Sequence, residues 1–309
     1  MQHVDADTAD RPKLRFALIQ PGARDARMLA HLQGLSREVA GGADVVVWGE
    51  STVGDYSLDL ASFANSEEVR RLAGYDTDDQ RPCPALGTPL LCGGRSFVAQ
   101  TSESGPFNNT AFLIAADEAI IGRYHKRVLM PWGEYAFGQQ WIPGLHDLLG
   151  DVEWLVAGDS ATPLTLSPNS HLGVLICYED IMPLPARQTV LAGASVLVNL
   201  NNLSVFGRTA AMRQHQHLAR FRAIENRRWL VRCGTTGSTA AIDATGRVDS
   251  QAQINTPVSL MVTAPLVDSI TFYTRWGDLF AGFCVLASSM VCSRHWLFFC
   301  KGLFGEKTK

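Results

Sequence analysis

Three polar residues close apolar, strand-like runs in this sequence. Val45-Val-Val-Trp48-Gly-Glu50 ends in a carboxylate, Ile120-Ile-Gly-Arg-Tyr124-His-Lys126 in an amine, and Gly173-Val-Leu-Ile176-Cys177 in a thiol. A thiol begins near a pKa of about 8.5 and must lose its proton to become a nucleophile; a neighbouring cation stabilises the thiolate and a carboxylate can take the proton. Together the three make a self-sufficient nucleophilic set. Each alone has a plainer reading: a free cysteine after a strand is most often a small core residue, Glu50 could cap the next helix, and Lys126 could be a solvated strand end. His125 or His171 paired with Cys177 is the competing arrangement. His125 adjoins Lys126, so in an extended chain only one of them can face the thiol.

The elements that must position these residues alternate between strand and helix. Strand-like runs are Leu14–Gln20, Val45–Trp48, Ala111–Ala115, Ala119–Tyr124, Leu172–Ile176, Val196–Leu200, Leu230–Cys233, Thr239–Ile242 and Leu260–Val262. Met28, Leu32, Leu35 and Val39 fall on one face of a helix over Arg27–Ala40, and a second, longer helix is predicted over Ala210–Asn226. Asp243-Ala-Thr-Gly246 reads as a hairpin turn, and the pairs Gly41-Gly42 and Gly93-Gly94 as turn glycines. Residues 51 to 89 are loop-rich and the least legible. No repeat or linker divides the chain, so 13–270 reads as one α/β domain after a disordered tail at 1–12. In α/β folds, chemistry gathers at the carboxyl ends of strands, where all three candidates stand.

Composition narrows the classes. Hydrophobic residues make up 46% and charged residues 18%, enough apolar material to exclude a disordered chain. A net charge of −3 offers no field for a polyanion, so no nucleic-acid partner is expected. Seven cysteines at irregular spacing, without a C-x-x-C pair, argue against a disulfide scaffold or zinc ribbon. His215-x-His217 does not read as a metal site, because helical residues two apart do not share a face. The arginines 213, 220, 222, 227, 228 and 232 read as a solvated or ion-paired surface. Asn108-Asn-Thr110 is a glycosylation sequon by letter only, and no Gly-rich nucleotide loop occurs. No metal or cofactor is expected. The first twelve residues carry no legible export signal.

The far end differs. Leu279 to Ser293 holds fifteen residues without a charge, about 22 Å of helix, before Arg294-His295 interrupt and Trp296–Cys300 resumes. Segment 271–309 is therefore read as a linker plus a membrane anchor or interfacial helix over 279–300, with a terminal helix buried on the domain as the alternative. Trp276, Trp296 and the terminal lysines suit a membrane interface.

The sequence resembles the nitrilase superfamily of carbon–nitrogen hydrolases, and within it the catalytic domain of the apolipoprotein N-acyltransferase branch. The words that carry the resemblance are LRFALIQ at 14–20, VVWGES at 46–51, GRYHKRVLMPWGEY at 122–135, GVLICYED at 173–180, the segment 214–248 and TFYTRWGD at 271–278. It implies a four-layer α-β-β-α sandwich with an apolar C-terminal helix. It also implies Glu50 as general base, Lys126 as the cation on thiolate or oxyanion, Cys177 as nucleophile, Glu134 and Glu179 as auxiliary acids, and Tyr178 as a pocket residue. The implied reaction is cysteine-dependent acyl transfer through a thioester, from a phospholipid or small amide to an amine or water. Three functions rank in this order: N-acyltransferase, small-amide hydrolase, and a catalytically degenerate binding module. The sequence departs from the branch at Gly49, where proline is usual, and at Leu203-Ser204-Val205, where the branch has Asp-Ala-Trp. Branch members carry several membrane helices ahead of this domain, so the expectations are a stand-alone relative, a membrane-protein partner or a homo-oligomer. Association with a bacterial inner membrane is implied, its side left open, or a cytoplasmic location if 279–300 is no anchor.

Overall fold

The computed structural model describes residues 10–53, 86–97, 107–136, 138, 141–142, 155–207 and 209–304. Strands β1 (Lys13–Gln20), β2 (Val45–Trp48), β3 (Leu90–Phe97), β4 (Phe107–Ile114) and β5 (Ile120–His125) are followed by β6 (Leu164–Ser167), β7 (Ser170–Ile176), β8 (Val196–Asn201), β9 (Leu230–Gly234), β10 (Ala240–Ile242), β11 (Val248–Gln251) and β12 (Val258–Pro265). Helix α1 (Met28–Val39) lies between β1 and β2, α2 (Pro183–Leu191) after β7, and α3 (Ala210–Asn226) after β8; α4 (Phe272–Trp276) and α5 (Leu279–Phe304) close the described chain.

The strands form two six-stranded sheets, in the orders β12-β1-β2-β3-β4-β5 and β11-β10-β9-β8-β7-β6. Each has a parallel centre, β1-β2-β3 in one and β7-β8-β9 in the other, flanked by antiparallel neighbours. Period-two alternation explains the layering. Phe16, Leu18, Val45 and Val47 point inward and meet Val174, Ile176, Val198, Leu200 and Val231 of the other sheet. Their neighbours Ala17, Ile19, Val46 and Trp48 point outward and pack under α1. On the far side, Leu175, Leu197 and Leu230 point outward to Ala186 and Val190 of α2 and Ala219 and Ala223 of α3. Each such Val or Leu contributes roughly 1.5–3 kcal/mol by leaving water. The result is the expected α-β-β-α sandwich. The Trp48 indole donates to Ser36 Oγ at 2.9 Å, which fixes the end of β2 against α1 just before Glu50.

Several sequence expectations need correction. Gly93 and Gly94 are not turn residues; they lie inside β3. A Cβ on Gly93 would come within 2.7 Å of Ser51 N and 2.8 Å of Glu50 Cα, so the strand is bare there to admit the chain that carries Glu50. Arg228 and Arg232 are not part of a solvated face. Arg228 is buried and donates to the carbonyls of Ala194, Asn226 and Ser269; burial lowers its pKa to about 10. Arg232 is buried against Asp180 at 2.8 Å. His215 joins this pair inside the molecule while His217 stays on the surface beside Arg220.

The C-terminal run is a helix, α5, but it does not pack on the domain: Phe280, Phe283 and Met290 are each about two-thirds exposed or more. The alternative of a buried terminal helix is thereby corrected. Among the described residues no helix is long and apolar enough to cross a membrane. Arg294 and His295 dilute the apolar run before it reaches the length of a span. The expected disordered tail falls almost wholly on residues 1–9, outside the described residues, as does most of the stretch at 51–89.

Candidate active site

Each candidate side chain leaves a strand at its carboxyl end. After β2 the chain turns through Gly49 and Glu50 into Ser51, whose φ of 53° is left-handed. Gly49 is pressed against the β8–β9 side: a Cβ would stand 3.0 Å from Asn201 O and 3.1 Å from Thr235 Oγ1. Lys126 follows β5, its N–H bonded to Asn109 O at 2.8 Å. Cys177 follows β7 and opens a 3-10 turn, Cys177–Ile181, with φ at 49°. A left-handed non-glycine residue costs of order 1–3 kcal/mol and is retained where its surroundings over-determine it. Asn199 Nδ2 supplies part of that constraint by donating to Cys177 O at 3.2 Å.

The structure brings Glu50, Lys126 and Cys177 together across the gap between the sheets. Lys126 Nζ lies 3.7 Å from Glu50 Oε1 and 2.5 Å from Glu134 Oε1. Asn109 Nδ2 donates to Glu50 Oε1 at 2.8 Å, and the Cys177 thiol is hydrogen-bonded to the Glu50 carboxylate. The backbone N–H of Asn202 points at the Cys177 sulfur. Glu50 and Lys126 are almost fully buried, whereas Cys177 is part-exposed.

Burial governs the electrostatics. It raises the Glu50 carboxyl above its ordinary range, opposed by the Lys126 charge and by hydrogen bonds from Asn109 and Cys177. Burial alone would lower Lys126, but the charge of Glu50, followed by the charge and hydrogen bond of Glu134, outweighs it and holds the ammonium charged. The Cys177 thiol is pushed well up by burial and by the Glu50 charge, so at rest it is a neutral thiol. The group equipped to accept its proton is the carboxylate bonded to it.

The auxiliary residues separate. Glu134 stays at the site, bridging Lys126 and the N–H of Met130. Glu179 turns instead to the backbone around the site. Fully buried, it accepts from the N–H groups of Arg127, Val128 and Ile176 and from the Tyr124 phenol, tying the lysine segment to the cysteine strand. Tyr178 is half-buried directly after the nucleophile candidate. His125 Nδ1 is engaged with Thr110 Oγ1 at 2.8 Å, and His171 stands with Thr165 and Ser195 at the far end of β7. The competing Cys–His pair is therefore not formed. The altered residues Leu203-Ser204-Val205 directly follow Asn202, with Leu203 buried and Val205 exposed.

Sequence reasoning missed Asn109 and Asn199. Asn199 sits inside the predicted run Val196–Leu200, where an amide usually signals an edge, and Asn109 lies in the first half of β4, ahead of the predicted run Ala111–Ala115. The only signal available was an amide interrupting a run of apolar and β-branched residues.

Two facing sheets sheathed in helices, with a cysteine at the end of a central strand, define the nitrilase class of sandwich. The chain belongs to the carbon–nitrogen hydrolases, a family of enzymes: the family model described as Carbon-nitrogen hydrolase matches residues 15–267. It is 32% identical to an apolipoprotein N-acyltransferase of Geobacter metallireducens over 84% of this chain and 47% of that protein. A Caulobacter vibrioides protein of the same name is 29% identical, over 82% of this chain and 47% of its own. The chain thus spans about half the length of these curated relatives. Among solved structures, a carbon–nitrogen hydrolase from Helicobacter pylori G27 superposes with a TM-score of 0.58 at 17% identity, covering 81% of this chain and 88% of that one. An amidase from Nesterenkonia sp. AN1 superposes at 0.57 and 18%, covering 87% and 97%. At such identities the structures establish the fold.

Proposed function

We propose that this chain is the acyl-transferring domain of an N-acyltransferase of the apolipoprotein N-acyltransferase type, acting through a thioester on Cys177. The observation that carries the reading is the bonded constellation of a strand-end thiol, the Glu50 carboxylate and the Lys126 ammonium, in a chain whose curated relatives bear that name.

The proposed chemistry runs as a sequence of proton and acyl transfers among these groups. As Cys177 Sγ attacks the carbonyl carbon of a phospholipid ester, its proton passes to Glu50. The carbonyl electrons move to oxygen, which develops charge beside the Lys126 ammonium and the Asn202 N–H. Collapse of this tetrahedral species breaks the ester C–O bond; the departing alkoxide takes the proton from Glu50 and leaves as an alcohol. An acyl thioester remains. An amine, the amino terminus of a lipoprotein, then attacks the thioester carbon, gives its proton to Glu50, and expels the thiolate, which Lys126 stabilises until Glu50 returns the proton. Glu134 keeps Lys126 aligned between turnovers. The uncharged stretch Leu279–Ser293 of helix α5, exposed throughout, supports membrane contact for this domain: an unpartnered apolar surface of this kind marks a lipid or protein contact.

The test is intact-protein mass after incubation with phospholipid vesicles, with Cys177→Ala as control. A fatty-acyl increment on the unaltered protein alone is expected. No increment on protein that binds the vesicles would transfer the assignment to hydrolysis of a small amide.

A further inference from the structure

We propose that Asn109 is a positioning residue for this site, one that holds the Glu50 carboxylate and the Lys126 main chain in a single setting. Its Nδ2 donates to Glu50 Oε1 at 2.8 Å, and its carbonyl accepts from Lys126 N at 2.8 Å. One residue of β4 is thus bonded to both the carboxylate and the segment that carries the ammonium.

The amide shows its orientation by what it leaves unmade. Asn109 is buried, and its Oδ1 has no hydrogen-bond partner. A buried amide oxygen without a partner is unfavourable, and a half-turn of the side chain is the obvious route to relief. That turn would set Oδ1 against the Glu50 carboxylate, two acceptors facing each other. The N–H is therefore locked onto Glu50, and the orphaned oxygen is the consequence. A residue serving only the strand would be better replaced by an apolar one of similar volume.

Glu50 is faced by Lys126 from the end of β5, by the Cys177 thiol from the turn after β7, by Glu134 from the loop beyond Lys126, and by Asn109 from β4. Among these, Asn109 is the neutral amide donor. It favours the ionised carboxylate without neutralising it, so the base stays both charged and correctly aimed.

This inference rests on Glu50 being the base, and the test separates the two. The rate of Cys177 alkylation by iodoacetamide is measured against pH, with the site of labelling read by peptide mass, in the unaltered chain and in Asn109→Ala, Asn109→Asp and Glu50→Gln. The acid limb is expected to vanish in Glu50→Gln. It is expected to move up by about one pH unit in Asn109→Ala, and further in Asn109→Asp, which replaces the donor by a second carboxyl. An unchanged profile in Glu50→Gln overturns the assignment of the base. A limb that vanishes in Glu50→Gln but stands still in folded Asn109 variants overturns the role of Asn109. Loss of cooperative thermal unfolding in both Asn109 variants also counts against it, since the residue would then be serving the strand at large.

Discussion

The Tyr124 phenol donates to Glu179 Oε2 at 2.9 Å, joining the two sheets. The same carboxylate receives three backbone N–H groups, two from the segment just after Lys126 and one from the residue before Cys177. Glu179 thereby sets the spacing between ammonium and thiol without bonding to either. Glu179→Ala strips an acceptor from four donors, the Tyr124 phenol and Ile176 N–H fully buried and the other two part-buried, and is expected to destabilise the fold by about 3 kcal/mol or more, read by urea unfolding. Glu179→Gln, which presents an amide N–H to some of those donors, is expected to unfold earlier than the unaltered protein but later than the alanine variant.

Glu50 is placed at the expense of stability. Its folded carboxyl titrates above the ordinary value of 4.5, because burial penalises the charge. A folded state that binds protons more tightly than the unfolded one loses stability as pH rises from 4.5 through the folded pKa. Glu50→Gln is therefore expected to melt at a higher temperature than the unaltered protein at about pH 8, the gap closing as pH falls below 4.5. Thermal unfolding across that range checks it, and a variant less stable at the alkaline end would show that pairing with Lys126 outweighs burial.

Reactivity should divide the cysteines. Cys233 is buried, donates to Val47 O, and has its thiol pushed up to about 12, so it is expected to resist alkylation until the protein unfolds. Cys284 and Cys292 are exposed on α5 and should react as ordinary thiols. Cys177 is expected to lose reactivity by roughly 100-fold in Glu50→Gln, while Cys284 is unchanged. Peptide mapping of the label distinguishes them.

Gly93 offers a purely steric test. Gly93→Ala drives a methyl into backbone atoms of Gly49, Glu50 and Ser51, none of which is a yielding side-chain tip. A loss of about 1–3 kcal/mol is expected, with a marked fall in the rate of Cys177 alkylation because Glu50 is displaced. Gly41→Ala, at a position with open space around it, should leave both unchanged.

The central strands were legible because burial on both faces writes itself as an unbroken apolar run, as in Val45–Trp48, whose bounds match the observed strand. The amphipathic spacing of Met28, Leu32, Leu35 and Val39 located α1 for a similar local reason. The features that escaped have distant causes. Gly93 and Gly94 read as a turn because their missing side chains answer to Glu50 and Val53, about forty residues away. Helix α2 begins Pro183-Leu-Pro185, which looks like a loop although proline is at ease in a first helical turn. β6 is four residues long and only half-buried, too short for alternation to register. At the site, the strand-end positions of Glu50, Lys126 and Cys177 were visible in the chain, while their roles came from resemblance. Glu179 looked like a site acid because nothing in its neighbourhood reveals four donors arriving from β5, β7 and the loop beyond Lys126.

Glu50 and Lys126 ride on one sheet and Cys177 on the other, and the first sheet is complete only when β12, the last strand of the described residues, returns to pair with β1. A growing chain therefore holds all three groups well before they can meet. Until the two leaves come together, Cys177 is an ordinary sulfhydryl among seven, with no base at its side. On the proposed mechanism the thiol gains its base only when the two sheets meet, so a half-made molecule is spared from scavenging acyl groups out of turn.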